Sequence, residues 1–325
     1  MDMSLRKADS ARLYGSVRHG KGVIIAQGTI IRSVGDSVRF GNRNMVLENS
    51  VLIGTPETPL SVGSGTIFGH RCIAIGASIG DLCEIGNSTI FLPGCRVGKM
   101  CIFGEGTIIP PGAVIPDESV VVGRPGRVIR KLTPEDRAMI ARMRGGNIDV
   151  GSTEENQLEF PPEGEHMSGK LYPHGGKTPR VDATAVVYDT AEITGDVIIG
   201  KHSIVGAGVR IIGDSHGPVI IGDHVLILEN SVLHLLPDNR LVIEDYVTIG
   251  PGCMIHGTTI GKGSIIESGA IVCDYSVLGE NTLVTSGTLV KQRSTFTDNQ
   301  ILEGFPAKVV GENDQPLARP PWALK

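Results

Sequence analysis

The chain is short of rings. Of its 325 residues only 4% are aromatic, with one Trp, five Tyr and seven Phe. A core filled by large flat side chains is excluded by that scarcity. It also lacks a basic excess: 30 Lys and Arg stand against 35 Asp and Glu, for a net charge of −5. Nothing in that balance attracts a phosphate backbone, so nucleic acid is excluded as a partner. No stretch reaches the roughly 20 apolar residues of a membrane-spanning helix. The opening MDMSLRKADS carries no apolar run of a signal peptide. The expectation is a soluble, cytoplasmic protein with no membrane contact.

Glycine is plentiful, with 44 residues, and aliphatic residues recur at a fixed interval. Ile67, Ile73, Ile79, Ile85, Phe91, Val97, Phe103, Ile109, Ile115 and Val121 are each six apart. Gly or Pro often follows, as at Gly80, Gly86, Gly98, Pro110 and Pro116. Four places after the large residue comes a small one: Cys83, Cys95, Cys101, Thr107, Ala113. A period of six fits neither a helix nor an alternating strand. It fits the hexapeptide repeat of a parallel β-helix, in which three six-residue faces close one coil. The large and small residues point inward and Gly allows the tight corner. The cysteines Cys83, Cys95, Cys101 and Cys253 fall in the small inward slot, where a free thiol behaves as a small hydrophobe. A disulfide framework or thiolate metal site is therefore not expected from them.

The prism ends at Gly123-Arg124-Pro125-Gly126. A helix is predicted from Pro134 to Arg144, with Thr133 as N-cap, Pro134 at the first helical position and Asp136 completing a capping box. Gly145-Gly146 stops it. The segment to Lys177 has no apolar period, reads as a linker, and would span roughly 30 Å as a flexible coil. The repeat then returns at Val181, Val187, Ile193, Ile199, Val205 and Ile211. Leu228 to Leu233 repeats Leu47 to Leu52 identically, and the same offset relates Gly304 to Gly123. This is an internal duplication. The expected organisation is a first β-helix domain with its helix over 1–146, a linker over 147–177, and a second β-helix domain with a Pro-rich tail over 178–325.

Gly213-Asp214, then Glu229-Asn230-Ser231-Val232-Leu233-His234, then Gly250 to Gly261 with Ile255-His256-Gly257, then Gly304-Phe305-Pro306-Ala307-Lys308-Val309 resembles the γ-class carbonic anhydrases. The resemblance covers most of both halves. It implies an all-β chain of two left-handed parallel β-helices that associate in threes. It also implies a metal ion held by three His between neighbouring prisms, two from one and the third from the next. That metal, zinc or else iron or cobalt, activates a water that attacks carbon dioxide.

The three positions are divided between the halves. The first His is His234, where the first half has Ile53. The second is His256, where the first half has Ile75. The third is absent at Pro251 but present in the first half as His70. Neither half holds a set, and together they hold one. One coil, lengthened by the loop Leu235 to Arg240, separates His234 from His256, so the two stack on adjacent coils. His70, two places after an inward Phe68, faces outward and must come from a neighbour. Three imidazoles leave an open fourth position, the pattern of a catalytic zinc.

Other positions depart from the family. Val34 and Ile212 stand where it has Arg. Leu47-Glu48 and Leu228-Glu229 stand where it has Gln-Asp. Glu48 and Glu229 are the candidate catalytic acids or bases, each with a structural role at a trimer contact as the alternative. Asp36 and Asp214 are expected to brace turns or meet an Arg of a neighbour. His216 is expected in solvent, and His19, His166, His174, His202 and His224 have no counterpart in the repeat.

Two further functions fit the same repeat. One is an acyl-CoA-dependent acyltransferase with His70 as general base. The other is a non-catalytic assembly module. Metal content separates the first reading from both, and CoA binding separates the second.

Overall fold

A computed structural model describes residues 5–143, 157–158, 168–214 and 217–324. They fall into two compact units, 1–160 and 161–325.

In the first unit, short strands stack in parallel into three ladders. One runs from Arg6–Lys7 through Ile24–Ile25, Met45–Val46, Ile67–Phe68, Glu84–Ile85 and Ile102–Phe103 to Ser119–Gly123. Each strand pairs with the one a coil later, as Ile85 with Phe103 and Phe103 with Val121. An antiparallel strand, Gly126–Lys131, closes this ladder. The second unit repeats the plan, and its long strand Val186–Gly195 serves two faces. This is the expected parallel β-helix. The core of each unit is a column of inward aliphatics, including Phe68, Ile79, Ile85, Phe91 and Val97 in the first. The second has Val205, Leu233, Ile255, Ile260 and Val272. Phe91 packs edge-on against Phe68 and Phe103, with ring centroids 6.5 and 5.0 Å away.

Three details differ from the sixfold reading. Phe68 lines the prism as its inward place required, and Ala74 does so in place of Ile73, because the step from Ala74 to Ile79 is one short of six and shifts the phase. The glycine after each large residue is needed for close stacking rather than for its dihedral. A Cβ on Gly80 would lie 2.6 Å from the carbonyl carbon of Gly98 on the next coil. The left-handed conformation falls two places later, on Leu82 (φ 58°), Met100 (φ 54°) and Glu118 (φ 55°). Finally, the expected linker is partly ladder: Gln157–Leu158 pairs with Arg12–Tyr14, and Ser168–Tyr172 pairs with Val186–Gly195.

The helix forms at Pro134–Met143 with the expected cap. Thr133 N–H donates to Asp136 Oδ2 (2.8 Å) and Asp136 N–H to Thr133 Oγ1 (3.3 Å). Arg144 lies outside the described residues. Ile140 buries against Val120 and Leu132, with Leu82, Met100 and Ile102 beside them. The second unit has no such helix among the described residues. Its tail runs back along the corresponding corner, where Leu317 N–H donates to Asn281 Oδ1 (2.7 Å) and Asn313 Nδ2 to Asn281 O (2.9 Å). Farther along that corner His202, His224 and Tyr246 stack face to face, at 5.0 and 4.9 Å between centroids.

Cys72, Cys83, Cys95, Cys101 and Cys253 are buried free thiols. Burial pushes the Cys72, Cys95 and Cys253 thiols up to about 12. Cys273 follows the inward Val272 and is only half-buried. No helix of the described residues is long and apolar enough to cross a membrane.

Candidate metal centre

His234 and His256 come together as the spacing requires. Strands Val232–Leu233 and Met254–Ile255 pair in register, Leu233 beside Ile255, and each histidine follows the inward residue of its strand. The backbone continues the ladder, His234 N–H donating to Ile255 O (3.0 Å) and His256 N–H to Val272 O (2.8 Å). The two rings lie 5.7 Å apart between centroids at an interplanar angle of 81°. Both are half-buried.

A carboxylate braces each ring. Asp214 Oδ1 lies 3.1 Å from His234 Nε2, and Asp274 Oδ2 lies 3.2 Å from His256 Nδ1. Asp274 is itself fixed: its Oδ1 accepts from Leu236 N–H (3.2 Å), Gly257 N–H (3.1 Å) and Asn239 Nδ2 (3.3 Å). His70 stands in the first unit, its side chain 51% exposed, with Nδ1 2.7 Å from Glu48 Oε2. The backbone joins them too, Arg71 N–H donating to Glu48 O (2.8 Å).

The donor set suits a resident metal. Ligating histidines hold one ring nitrogen on a carboxylate or carbonyl and offer the other. His234 does the first, with Nε2 hydrogen-bonded to Asp214, while His70 and His256 stand at ion-pair distance from Glu48 and Asp274. Within the second unit the fit reaches two ligands. Among the described residues no group of three or more His, Cys, Asp or Glu converges on one metal position.

Glu48 and Glu229 are not equivalent. Glu48 Oε2 lies close to His70 without a hydrogen bond, whereas Glu229 is 2% exposed and has Pro251 where Glu48 has His70. Asp36 meets Arg18 at 3.4 Å, and the Ser16 hydroxyl and the Arg18 guanidinium hold its carboxyl below the usual range. Asp214 meets His234. His216 and His166 lie outside the described residues. Sequence reasoning missed Asp274 altogether, although it stands one coil after His256.

The fold and this pair define a hexapeptide-repeat β-helix protein. Residues 240–274 match the bacterial transferase hexapeptide (six repeats) pattern, and residues 59–90 match the hexapeptide repeat of succinyl-transferase. Over 142 residues the chain is 39% identical to a carbonic anhydrase of Geobacillus kaustophilus (strain HTA426), covering 44% of this chain and 78% of that one. It is 32% identical over 138 residues to the mitochondrial gamma carbonic anhydrase 2 of Arabidopsis thaliana, covering 41% and 49%. Among solved structures, a hexapeptide transferase family protein from Anaplasma phagocytophilum is 30% identical. It covers 45% of this chain and 86% of that one, with a TM-score of 0.43. The chain belongs to the γ-carbonic-anhydrase-like family of hexapeptide-repeat proteins.

Proposed function

We propose that this chain is a carbonic-anhydrase-like lyase acting on carbon dioxide and bicarbonate, or on a related small carbonyl substrate. The observation that carries the reading is the His234–His256 pair, stacked on adjacent coils with a carboxylate beside each ring. His70 is assigned as the third ligand, supplied by a neighbouring first-half prism. Zinc, iron or cobalt suits three imidazoles. Such an ion, when bound, makes water a nucleophile near neutral pH. Within that site the chain's own residues orient and move protons. Glu48 first holds the His70 ring, and Glu229, together with Glu48, is the candidate proton carrier. Packing of prisms in threes and residence in the cytoplasm belong to the same proposal, as does the division into domains 1–146 and 178–325.

Metal content of protein purified without added metal or a His tag tests it. The wild type is expected to carry metal and to hydrate carbon dioxide. His70→Ala is expected to lower metal occupancy about as much as His256→Ala, although the two lie in different halves. A metal-free wild type, or His70→Ala that keeps its metal, would refute the composite site.

An acyltransferase remains the second reading, because both matched repeat patterns are described from transferases. The His70–Glu48 contact is the imidazole–carboxylate arrangement a general base requires. Acetyl-CoA binding by calorimetry, lost in His70→Ala, would favour it. Absence of both metal and CoA binding would leave the assembly module.

A further inference from the structure

The second prism begins on an apolar groove. Leu171, Pro179, Val181 and Ile198 bound a space of about 630 Å³ that is open to solvent. Val181 is the first inward residue of the ladder that runs from Arg180–Val181 through Val197–Ile199 to Val219–Ile221, and it packs against the core. Among the described residues no strand precedes Arg180–Val181 on that ladder, so no further rung covers it. Leu171 pairs with the inward Ile193 yet is 43% exposed. Ile198 points outward beside Arg180 and is half-buried.

Two cations stand at the rim. Arg180 and Lys201 are exposed, and their side chains form no hydrogen bond or ion pair among the described residues. The two carboxylates of the same rim are tied to the corners. Asp182 Oδ1 accepts from the Thr184 N–H (2.9 Å) and hydroxyl (2.7 Å), and Asp223 Oδ1 accepts from the Lys201 N–H (2.7 Å). We propose that this groove binds a small amphipathic anion, a medium-chain carboxylate, with its alkyl chain on Leu171, Val181 and Ile198 and its head at Arg180 and Lys201. An apolar floor beside unpaired cations matches both parts of such a ligand.

The first unit supplies a contrast. Its corresponding ladder ends at Val17–His19, one rung shorter, and puts Arg18 where the second unit has Ile198. Arg18 meets Asp36 at 3.4 Å. A paired charge there replaces the apolar wall, so one site per chain is expected. The site involves neither His234 nor His256, and its failure leaves the metal reading untouched.

Methyl NMR of the full-length chain, labelled at Ile, Leu and Val and titrated with acetate, butyrate, hexanoate and octanoate, tests the proposal. Octanoate is expected to shift the methyls of Leu171, Val181 and Ile198 saturably and to give cross-peaks with them. Affinity is expected to rise about 2–4-fold for each CH2 added along the series. The double variant Arg180→Gln, Lys201→Gln is expected to bind octanoate at least about 10-fold more weakly. Ile198→Asp, which puts a carboxylate on the wall, is expected to abolish the shifts. Equal responses to acetate and octanoate, or an unaltered affinity in the double variant, would overturn the proposal. So would shifts confined to Leu233, Leu235 and Ile255, which would place the carboxylate at the candidate metal centre. Cross-peaks from Leu171, Val181 and Ile198 to other protons of the protein, unchanged by octanoate, would also overturn it, because the groove would then be filled by protein. If Ile198→Asp fails to fold, the wild-type series and the double variant decide the matter.

Discussion

Ile53 and Ile75 occupy in the first unit the ladder positions that His234 and His256 hold in the second. The backbone register is the same in both, so the presence of an imidazole there turns on side-chain identity alone. The thiols show the complementary effect, in which identity is constant and direction changes. Five cysteines lie buried, and Cys273 points out. Only thiolate reacts with disulfide reagents, and burial suppresses it. Burial and the neighbouring Asp274 also raise the Cys273 thiol, yet that side chain is reachable by solvent. Folded protein treated with an aromatic disulfide at pH 8 is expected to show one fast thiol and five slow ones. Cys273→Ser should remove the fast phase. Several fast thiols in that variant would mean that the inward slots open readily.

The two units cover one corner with different elements, and the corner residues explain which. In the first unit Leu82 and Met100 present apolar surface, and the helix lays Ile140 on it. At the corresponding places the second unit has Gly263 and Asn281. Gly263 gives a helix nothing to bury against, and Asn281 instead bonds an extended tail through its side chain and carbonyl. The helix is short, so its cap matters. Thr133→Ala is expected to destabilise the first unit by about 1 kcal/mol, read as a lowered denaturation midpoint. The cap also has a pH signature. Bonding by the Arg130 guanidinium, with the Thr133 N–H, holds the Asp136 carboxyl far below its usual range. A depressed folded-state value adds stability above the unfolded carboxylate range, and that stability is lost as pH falls through the folded value. The stability difference between wild type and Asp136→Asn should therefore persist at pH 4 and shrink only in stronger acid.

For the molecule as a whole, the half-sets of histidines tie function to assembly. The second unit has two candidate ligands and the first has one, so the proposed centre stands or falls with association of prisms. Sedimentation equilibrium of the wild type is expected to give a mass above that of one chain, in keeping with prisms packed in threes. A single-chain mass at micromolar concentration, with no protection of either unit by the other in hydrogen exchange, would count against that assembly.

Much of this molecule could be read from the order of its residues. A hexapeptide period is a local property: each face repeats the same inward choice, and stacking adds only neighbours one coil away. The helix and its cap were legible for the same reason, since Thr133 and Asp136 are close in the chain. So were the stacked places of His234 and His256, fixed by coil length plus one loop. The braces were not legible. Asp214, Asp274 and Glu48 reach their imidazoles from a neighbouring coil, far along the chain. Which ring nitrogen each meets depends on side-chain rotation about the corner, and no sequence spacing encodes that angle. Stacking required the glycines at the corners, where spacing had suggested a dihedral. The period fixes which residues share a face, and three-dimensional packing selects which carboxylate stands beside each histidine.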